Sequence, residues 1–363
     1  MSGSFDPNLP FNNLPGLPPS VDVENRQILK AAIRAREQLA VLNTSCRLIP
    51  NPEIVTTTIP LREAKASTEI ENIVTTNDEL FRASQGIDST PTPESKEALR
   101  YNTALHEGRK SLLERPLSVR TATDVCSVLQ NAPVSVRTTP GTYIGDGASG
   151  LRRYTPPSGP DVISQHLAAW ERFIYSPHDL DPLVLMALLH YQFEAIHPFP
   201  DGNGRTGRIL NILLLIQQEL LDLPVLYLSG VIVSRKNEYY DRLLAVTTHQ
   251  DWEGWVLFML KAVEDAARDT AELINDLRAM QEMTSLHIRD ALPAAPAMEL
   301  AKLLFTVPYV RIRDIEARGL AKRQTASNWL SALADAGILE ESRADGRQKV
   351  FINRPALEIL TRS

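Results

Sequence analysis

At 363 residues the chain exceeds what one hydrophobic core usually organises, so two or more domains are expected. Hydrophobic residues make up 43% and charged residues 23%, an ordinary balance for a soluble globular protein, and no uncharged apolar run approaches the length of a membrane span. A net charge of −6 argues against a whole-surface affinity for nucleic acid or anionic membrane, while two cysteines without metal-ligand spacing (Cys46, Cys126) and an N-terminus lacking a basic, apolar leader point to free thiols in the reducing cytoplasm.

Residues 1–20 are rich in Pro, Asn and Gly and lack a period, which reads as an extended arm packed on the surface or a disordered tail. A helix follows from about Val23 to Leu42, amphipathic through Ile28, Ala32, Leu39 and Leu42, before Asn51-Pro52 reopens the chain. Pro60 can begin a helix that sets Ser67 and Glu71 on one face, four residues apart and followed by Asn72. Taken alone, that pattern is an exposed helix with solvated carboxylates. Helical patterns then span 93–115 and 121–130, with Thr121 or Thr123 as cap. The glycine-rich, β-prone segment from Val134 to Pro157 reads as a hairpin across Gly145 to Gly150.

Chemistry concentrates in His197-Pro-Phe-Pro-Asp-Gly-Asn-Gly-Arg-Thr-Gly-Arg208, between two apolar helical patterns. The preceding helix is capped by Asp181 with Pro182 at its first position; the following one is apolar almost all round and so suits burial. Pro198 and Pro200 stop the first helix, and Gly202, Asn203 and Gly204 let consecutive N–H groups turn inward at the positive end of the second, which is a phosphate nest. Arg205 and Arg208 lie three apart in the first turn and can converge on phosphate oxygens, with Thr206 and Gly207 between them. Asp201 beside a phosphate calls for a bridging cation, so it reads as a Mg²⁺ ligand, and His197 stands placed to take a proton. Gly202, Gly204 and Gly207 also satisfy G-x-G-x-x-G, but a dinucleotide fold needs a strand where a helix precedes here. Asp201-Gly-Asn203 opens like a calcium loop, yet Arg205 occupies the third ligand position.

Ser229 to Val246 reads as a helix or turn-plus-helix carrying Ser234, Asn237, Tyr239 and Tyr240, and Trp252 and Trp255 as core packing for a helix running to about Met280. In the tail, 300–305 and 311–317 suggest helices, Gly319 a turn, 322–337 a helix ended by glycine, and the segments around Asp345-Gly346 a β-hairpin. This tail resembles a winged helix–turn–helix. From Leu300 onward there are eleven Lys/Arg against seven Asp/Glu, and Arg323, Gln324, Thr325, Ser327 and Asn328 could face bases or phosphates, so DNA is a candidate partner; winged helices also dock proteins or form dimers.

The twelve residues from His197 to Arg208 resemble the Fic family motif, H-P-F-x-[D/E]-G-N-G-R-x-x-R, with every fixed position filled. The resemblance implies a mainly α fold: a Fic helical core with a β-hairpin flap, here followed by the winged helix. The expected organisation is 1–90 as arm and helices, 91–280 as catalytic core and 290–363 as winged-helix domain. It implies transfer of AMP from ATP to a Ser, Thr or Tyr hydroxyl of a target protein or of the chain itself, with release of pyrophosphate. His197 would be the general base, Asp201 the metal ligand, Gly202 to Gly204 the nest, and Arg205 and Arg208 the β/γ-phosphate clamp. The flap would pair with the target segment. Tyr239 and Tyr240 match a paired tyrosine near the adenine, of which one is expected to touch nucleotide, and Ser234 replaces an Asn common in relatives. Ser67-x-x-x-Glu71-Asn72 matches the family's inhibitory helix, in which the glutamate pairs with the second motif arginine, here Arg208. That pair would withdraw a cation from the γ-phosphate and add a negative charge beside it. Two rivals differ in class. In one, a transcriptional regulator senses nucleotide with the Fic fold; in the other, Glu71 orients water to remove AMP from a modified protein.

Overall fold

The structure, a computed structural model, describes residues 5–87, 90–145, 151–344 and 348–362. In chain order the elements begin with α1 (Arg26–Leu48), α2 (Pro52–Ile70), α3 (Asn77–Ser84), α4 (Pro93–Ser111) and α5 (Val119–Gln130). A short hairpin, β1 (Ile144–Gly145) and β2 (Arg152–Tyr154), leads into α6 (Pro160–Tyr175), α7 (Pro182–Ile196), α8 (Asn203–Gln217), α9 (Leu228–Ser234), α10 (Lys236–His249) and α11 (Trp252–Ala291). The tail holds α12 (Ala297–Thr306), β3 (Tyr309–Val310), α13 (Ile312–Ala317), α14 (Arg323–Asp335), β4 (Glu340–Ala344), β5 (Gln348–Ile352) and α15 (Arg354–Thr361). The chain is mainly α, as its sequence implies.

It divides into two compact units, residues 1–40 with 100–267 and residues 41–99 with 268–363. At the centre of the first lie α7 and α8, buried on nearly every side, with α6 packed on α7 and α5 on α8. Two buried tryptophans fix α7 through its carbonyls: Trp170 Nε1 donates to Leu189 O at 3.0 Å and Trp255 Nε1 to Ala187 O at 2.7 Å. Trp252 and Trp255 are core residues, as read from the sequence. The N-terminal residues do form a packed arm. Phe5 and Phe11 close on Tyr154, while Phe11 N donates to Thr155 O at 3.0 Å and Thr155 Oγ1 to Pro7 O at 2.6 Å.

In the second unit α12 packs on α2, and α2 on α3. Buried Arg311 caps the end of α3, donating to Gln85 O at 2.7 Å and Gly86 O at 3.0 Å, while its Nε holds Asp314. Asn51 Nδ2 donates to Thr306 Oγ1 at 3.0 Å, and Arg318 pairs with Glu53 at 2.6 Å. The tail follows the helix–helix–helix–hairpin order read from the sequence, with α12, α13 and α14 ahead of β4 and β5. The short strand β3 adds to the hairpin, giving the antiparallel order β3-β5-β4, and α15 closes the chain. The Asp345-Gly346 turn lies outside the described residues.

Several helix boundaries differ from the expectation. The helix carrying Ser67 begins at Pro52, where Asn51 Oδ1 accepts from Glu53 N at 3.1 Å; Pro60 lies inside it. An Asn cap with Pro at the first position is the stronger start signal, and Pro60 sits inside the helix although it removes one N–H from the ladder and crowds the carbonyl four residues before it. α5 starts two residues earlier than expected, because Ser118 is the cap and Thr121 completes a capping box. α1 runs on to Leu48 and α11 to Ala291, since the sequence offers no breaker before Pro50 and Pro293. Among the described residues, no helix is long and apolar enough to cross a membrane.

Candidate active site

The site begins where α7 cannot continue. With Pro198 next, His197 takes a left-handed backbone (φ 50°, ψ 60°), unusual for a residue with a side chain, while its N–H still donates to Phe193 O at 3.0 Å. Asn203 then clasps the turn from inside: its Oδ1 accepts from Phe199 N and its Nδ2 donates to Phe199 O, both at 2.7 Å. The Asn203 side chain is thereby spent on the loop, so only its N–H is left for the nest.

Gly202, at φ 78°, is the last residue before α8. A Cβ there would meet Gln130 Nε2 at 2.7 Å, the movable end of a side chain, so glycine is required by the backbone conformation rather than by space. Its N–H donates to Asp201 Oδ1 at 2.7 Å, which amends the expected nest: the N–H groups at the mouth of α8 are those of Asn203 and Gly204, in the first turn and without an intrahelical acceptor. Asp201 itself is exposed. Its Oδ2 accepts from Gln130 Nε2 at 3.1 Å and lies 3.6 Å from Arg205, and Cys126 Sγ donates to its backbone oxygen at 3.4 Å. Arg205 and Arg208 are both buried, 2% exposed, in the first two turns of α8. Thr206 is fully buried, and Gly207 packs against Phe193 and Glu194 of α7.

The electrostatics follow from this burial. Desolvation, then the Arg137 guanidinium, pulls His197 down from its ordinary 6.5 to about 4, against the Glu194 carbonyl and Asp201, which favour the protonated ring. His197 is therefore neutral at pH 7 with a lone pair to offer. Beneath it, buried His190 is lowered to about 3 by desolvation and then by Arg208. His190 Nε2 is 2.9 Å from Tyr239 Oη, and its ring stacks on Trp255.

The paired tyrosines divide. Tyr239 is 1% exposed and packs on Trp255 and Phe258, a core residue rather than a ligand contact. Tyr240 instead lines an apolar cavity with Ile144 of β1, Tyr191 and Ala195 of α7, and Leu243 and Leu244 of α10. Ser234 is exposed, and its hydroxyl is turned back onto Val231 O at 2.8 Å. The expected hairpin is present at its ends, Ile144 opposite Tyr154 and Gly145 opposite Arg152, whereas residues 146–150 lie outside the described residues. Glu71 belongs to the second unit, at the end of α2. There Asn72 turns left-handed (φ 64°) and Ile73 N donates to Thr68 O, a glycine-type helix stop made by asparagine.

Sequence reasoning passed over Arg137, Gln130, His190 and Glu194. For Gln130 and Arg137 no local signal exists, because each meets the loop only through tertiary packing, whereas Glu194 acts locally, through its carbonyl three residues before His197. His190 could have been found from its place seven residues before His197, two turns earlier along a mostly apolar helix.

Among the described residues no group of three or more His, Cys, Asp or Glu could hold a metal. A lone exposed carboxylate beside a phosphate nest nevertheless suits Mg²⁺, which is usually held by one or two carboxylates together with substrate phosphates and water.

Three family models match the chain. The Fic/DOC family N-terminal model covers residues 29–110, the Fic/DOC family model residues 128–215, and the C-terminal domain of the SoFic-like protein adenylyltransferases residues 280–356. A probable protein adenylyltransferase of Aquifex aeolicus is 23% identical over 294 residues, 79% of this chain and 83% of the relative. The protein adenylyltransferase Fic of Drosophila melanogaster is 32% identical over 110 residues, 30% of this chain and only 21% of that protein. The crystal structure of a Fic family protein from Desulfovibrio desulfuricans G20 superposes with a TM-score of 0.61 at 22% identity, over 94% of this chain and 98% of that one.

Proposed function

The chain belongs to the Fic/DOC family and is an enzyme of the nucleotidyltransferase class, and from that premise we propose that it transfers AMP from ATP to a Ser, Thr or Tyr hydroxyl of a protein. In this reading the mouth of α8 receives the triphosphate on the N–H groups of Asn203 and Gly204, and Arg205 and Arg208 balance the charge of its β- and γ-phosphates. Asp201 would hold Mg²⁺, which when bound supplies a positive centre for the phosphate oxygens. His197 takes the proton of the target hydroxyl as its oxygen bonds to the α-phosphorus and the bond to pyrophosphate breaks. Tyr240 and the apolar cavity receive the adenine, and the edge of β1 and β2 aligns the target segment through main-chain hydrogen bonds.

The observation that carries the reading is the loop itself. A left-handed His197, an Asn203 clasped to both backbone groups of Phe199 and two buried arginines are fixed by the fold's own bonds and packing, an arrangement suited to charge on phosphate. Glu71 is read as the brake, acting on Arg208. The direct experiment is mass spectrometry of the Glu71→Gly protein after incubation with ATP and Mg²⁺. Added AMP on the chain or on lysate proteins is expected, in greater amount than for wild type; no AMP adduct anywhere rejects the activity. If wild type instead strips AMP from a pre-modified target and Glu71→Gly does not, the chemistry runs in reverse.

One observation favours a second role for the tail. Arg323, Gln324, Thr325 and Asn328 are exposed along the start of α14, within a segment carrying net positive charge. A DNA-binding winged helix would show salt-sensitive binding that survives His197→Ala.

A further inference from the structure

A helix leaves its last carbonyls without partners, and a buried helix end must find them elsewhere. At the end of α7 four successive carbonyls are satisfied from one source, the base of the β1–β2 hairpin. Tyr154 Oη donates to Ala195 O at 2.8 Å, Arg137 Nη2 to Ile196 O at 3.2 Å, Arg137 Nε to His197 O at 2.7 Å, and the Arg137 backbone N–H to Pro198 O at 2.9 Å. Arg137 Nη2 also donates to Pro157 O at 2.5 Å. Arg137 and Pro157 bracket the hairpin in sequence, so one side chain ties both of its ends to the residue that bears the imidazole. Arg137 is only 5% exposed and touches neither the nest nor the mouth of α8 through any of these bonds.

We propose that Arg137 is a positioning residue: its guanidinium locks the base of the hairpin to the main chain of His197, fixing the spacing between the strand that aligns the target and the base that deprotonates it. The inference rests on the adenylyl-transfer reading above. A planar fork is needed for it, since one Arg reaches the carbonyls of Ile196, His197 and Pro157 together, whereas a lysine ammonium carries the charge without that geometry. Arg137→Lys should therefore fail to rescue what Arg137→Gln removes.

The test uses the full chain in the Glu71→Gly background, with both Arg137 variants. Target-dependent turnover per folded molecule is expected to fall on the order of 10²-fold, the scale of a misplaced reacting group, while ATP affinity measured by calorimetry holds. Unchanged turnover in both variants overturns the proposal, as does full rescue by lysine. Should the parent protein transfer no AMP, the activity reading fails alone, and hydrogen exchange still decides this one. In Arg137→Gln, amides of the hairpin and of the His197 loop should accelerate together; acceleration of only one, or of neither, shows that Arg137 does not couple them.

Discussion

His190 lies on α7 and His197 caps its end, and the protein holds both neutral. Burial is the first cause for each, with Arg137 adding to it at His197 and Arg208 at His190. The sign of the pH dependence follows. Both native values lie below the ordinary 6.5, so as pH falls below 6.5 the unfolded chain takes up protons before the native one does. The stability contributed is full above pH 6.5 and is lost as pH drops toward about 4 for His197 and about 3 for His190. Each histidine gives a slope of about 1.4 kcal/mol per pH unit within its window. Denaturant midpoints are expected to fall between pH 7 and pH 5, and imidazole NMR to find His190 untitrated over that range; a His190 midpoint near its ordinary value would contradict the burial described. At the same scale Asn203→Ala removes the clasp and leaves the buried N–H and C=O of Phe199 unpaired, at about 1–3 kcal/mol for each orphaned group. A lower melting temperature with weakened ATP binding is expected; unaltered ATP affinity would mean that the loop holds its shape without the clasp.

At the scale of elements, α7 and α8 present the site because both are buried almost completely, which leaves their junction as the place where polar groups emerge. That junction was legible in the sequence, since twelve contiguous residues carry prolines to stop one helix, glycines to turn and arginines to begin the next. What holds the junction was not. Gln130 and Arg137 lie far upstream, in segments whose local pattern says only helix end and β-prone strand. Likewise the start of α2 was misplaced at Pro60, because a proline inside a helix and one at its first turn look alike until the cap before them is weighed. The arm belongs to this scale too. Phe5 and Phe11 pack on Tyr154, whose hydroxyl caps α7, so deleting residues 1–13 should speed amide exchange in 152–157 while leaving α8 protected. Unchanged exchange there would show that the arm does not brace the hairpin.

Across the whole molecule, the two compact units cut across the order of the chain: the segment bearing Glu71 shares a unit with the tail, and the motif lies in the other. The sequence could place Glu71 on a helix upstream of the motif, but which residues gather into one unit depends on long-range packing such as Asn51 on Thr306 and Arg318 on Glu53, which no local pattern carries. In the proposed function the junction of α7 and α8 cups a triphosphate under a neutral imidazole. Its most direct test pairs two readings on Glu71→Gly and Glu71→Gly/His197→Ala proteins: ATP affinity by calorimetry, and transfer of label from α-labelled ATP to protein. The second protein is expected to bind ATP as the first does while transfer falls by roughly 10²-fold or more, the share a general base supplies. Equal transfer by both proteins would contradict it.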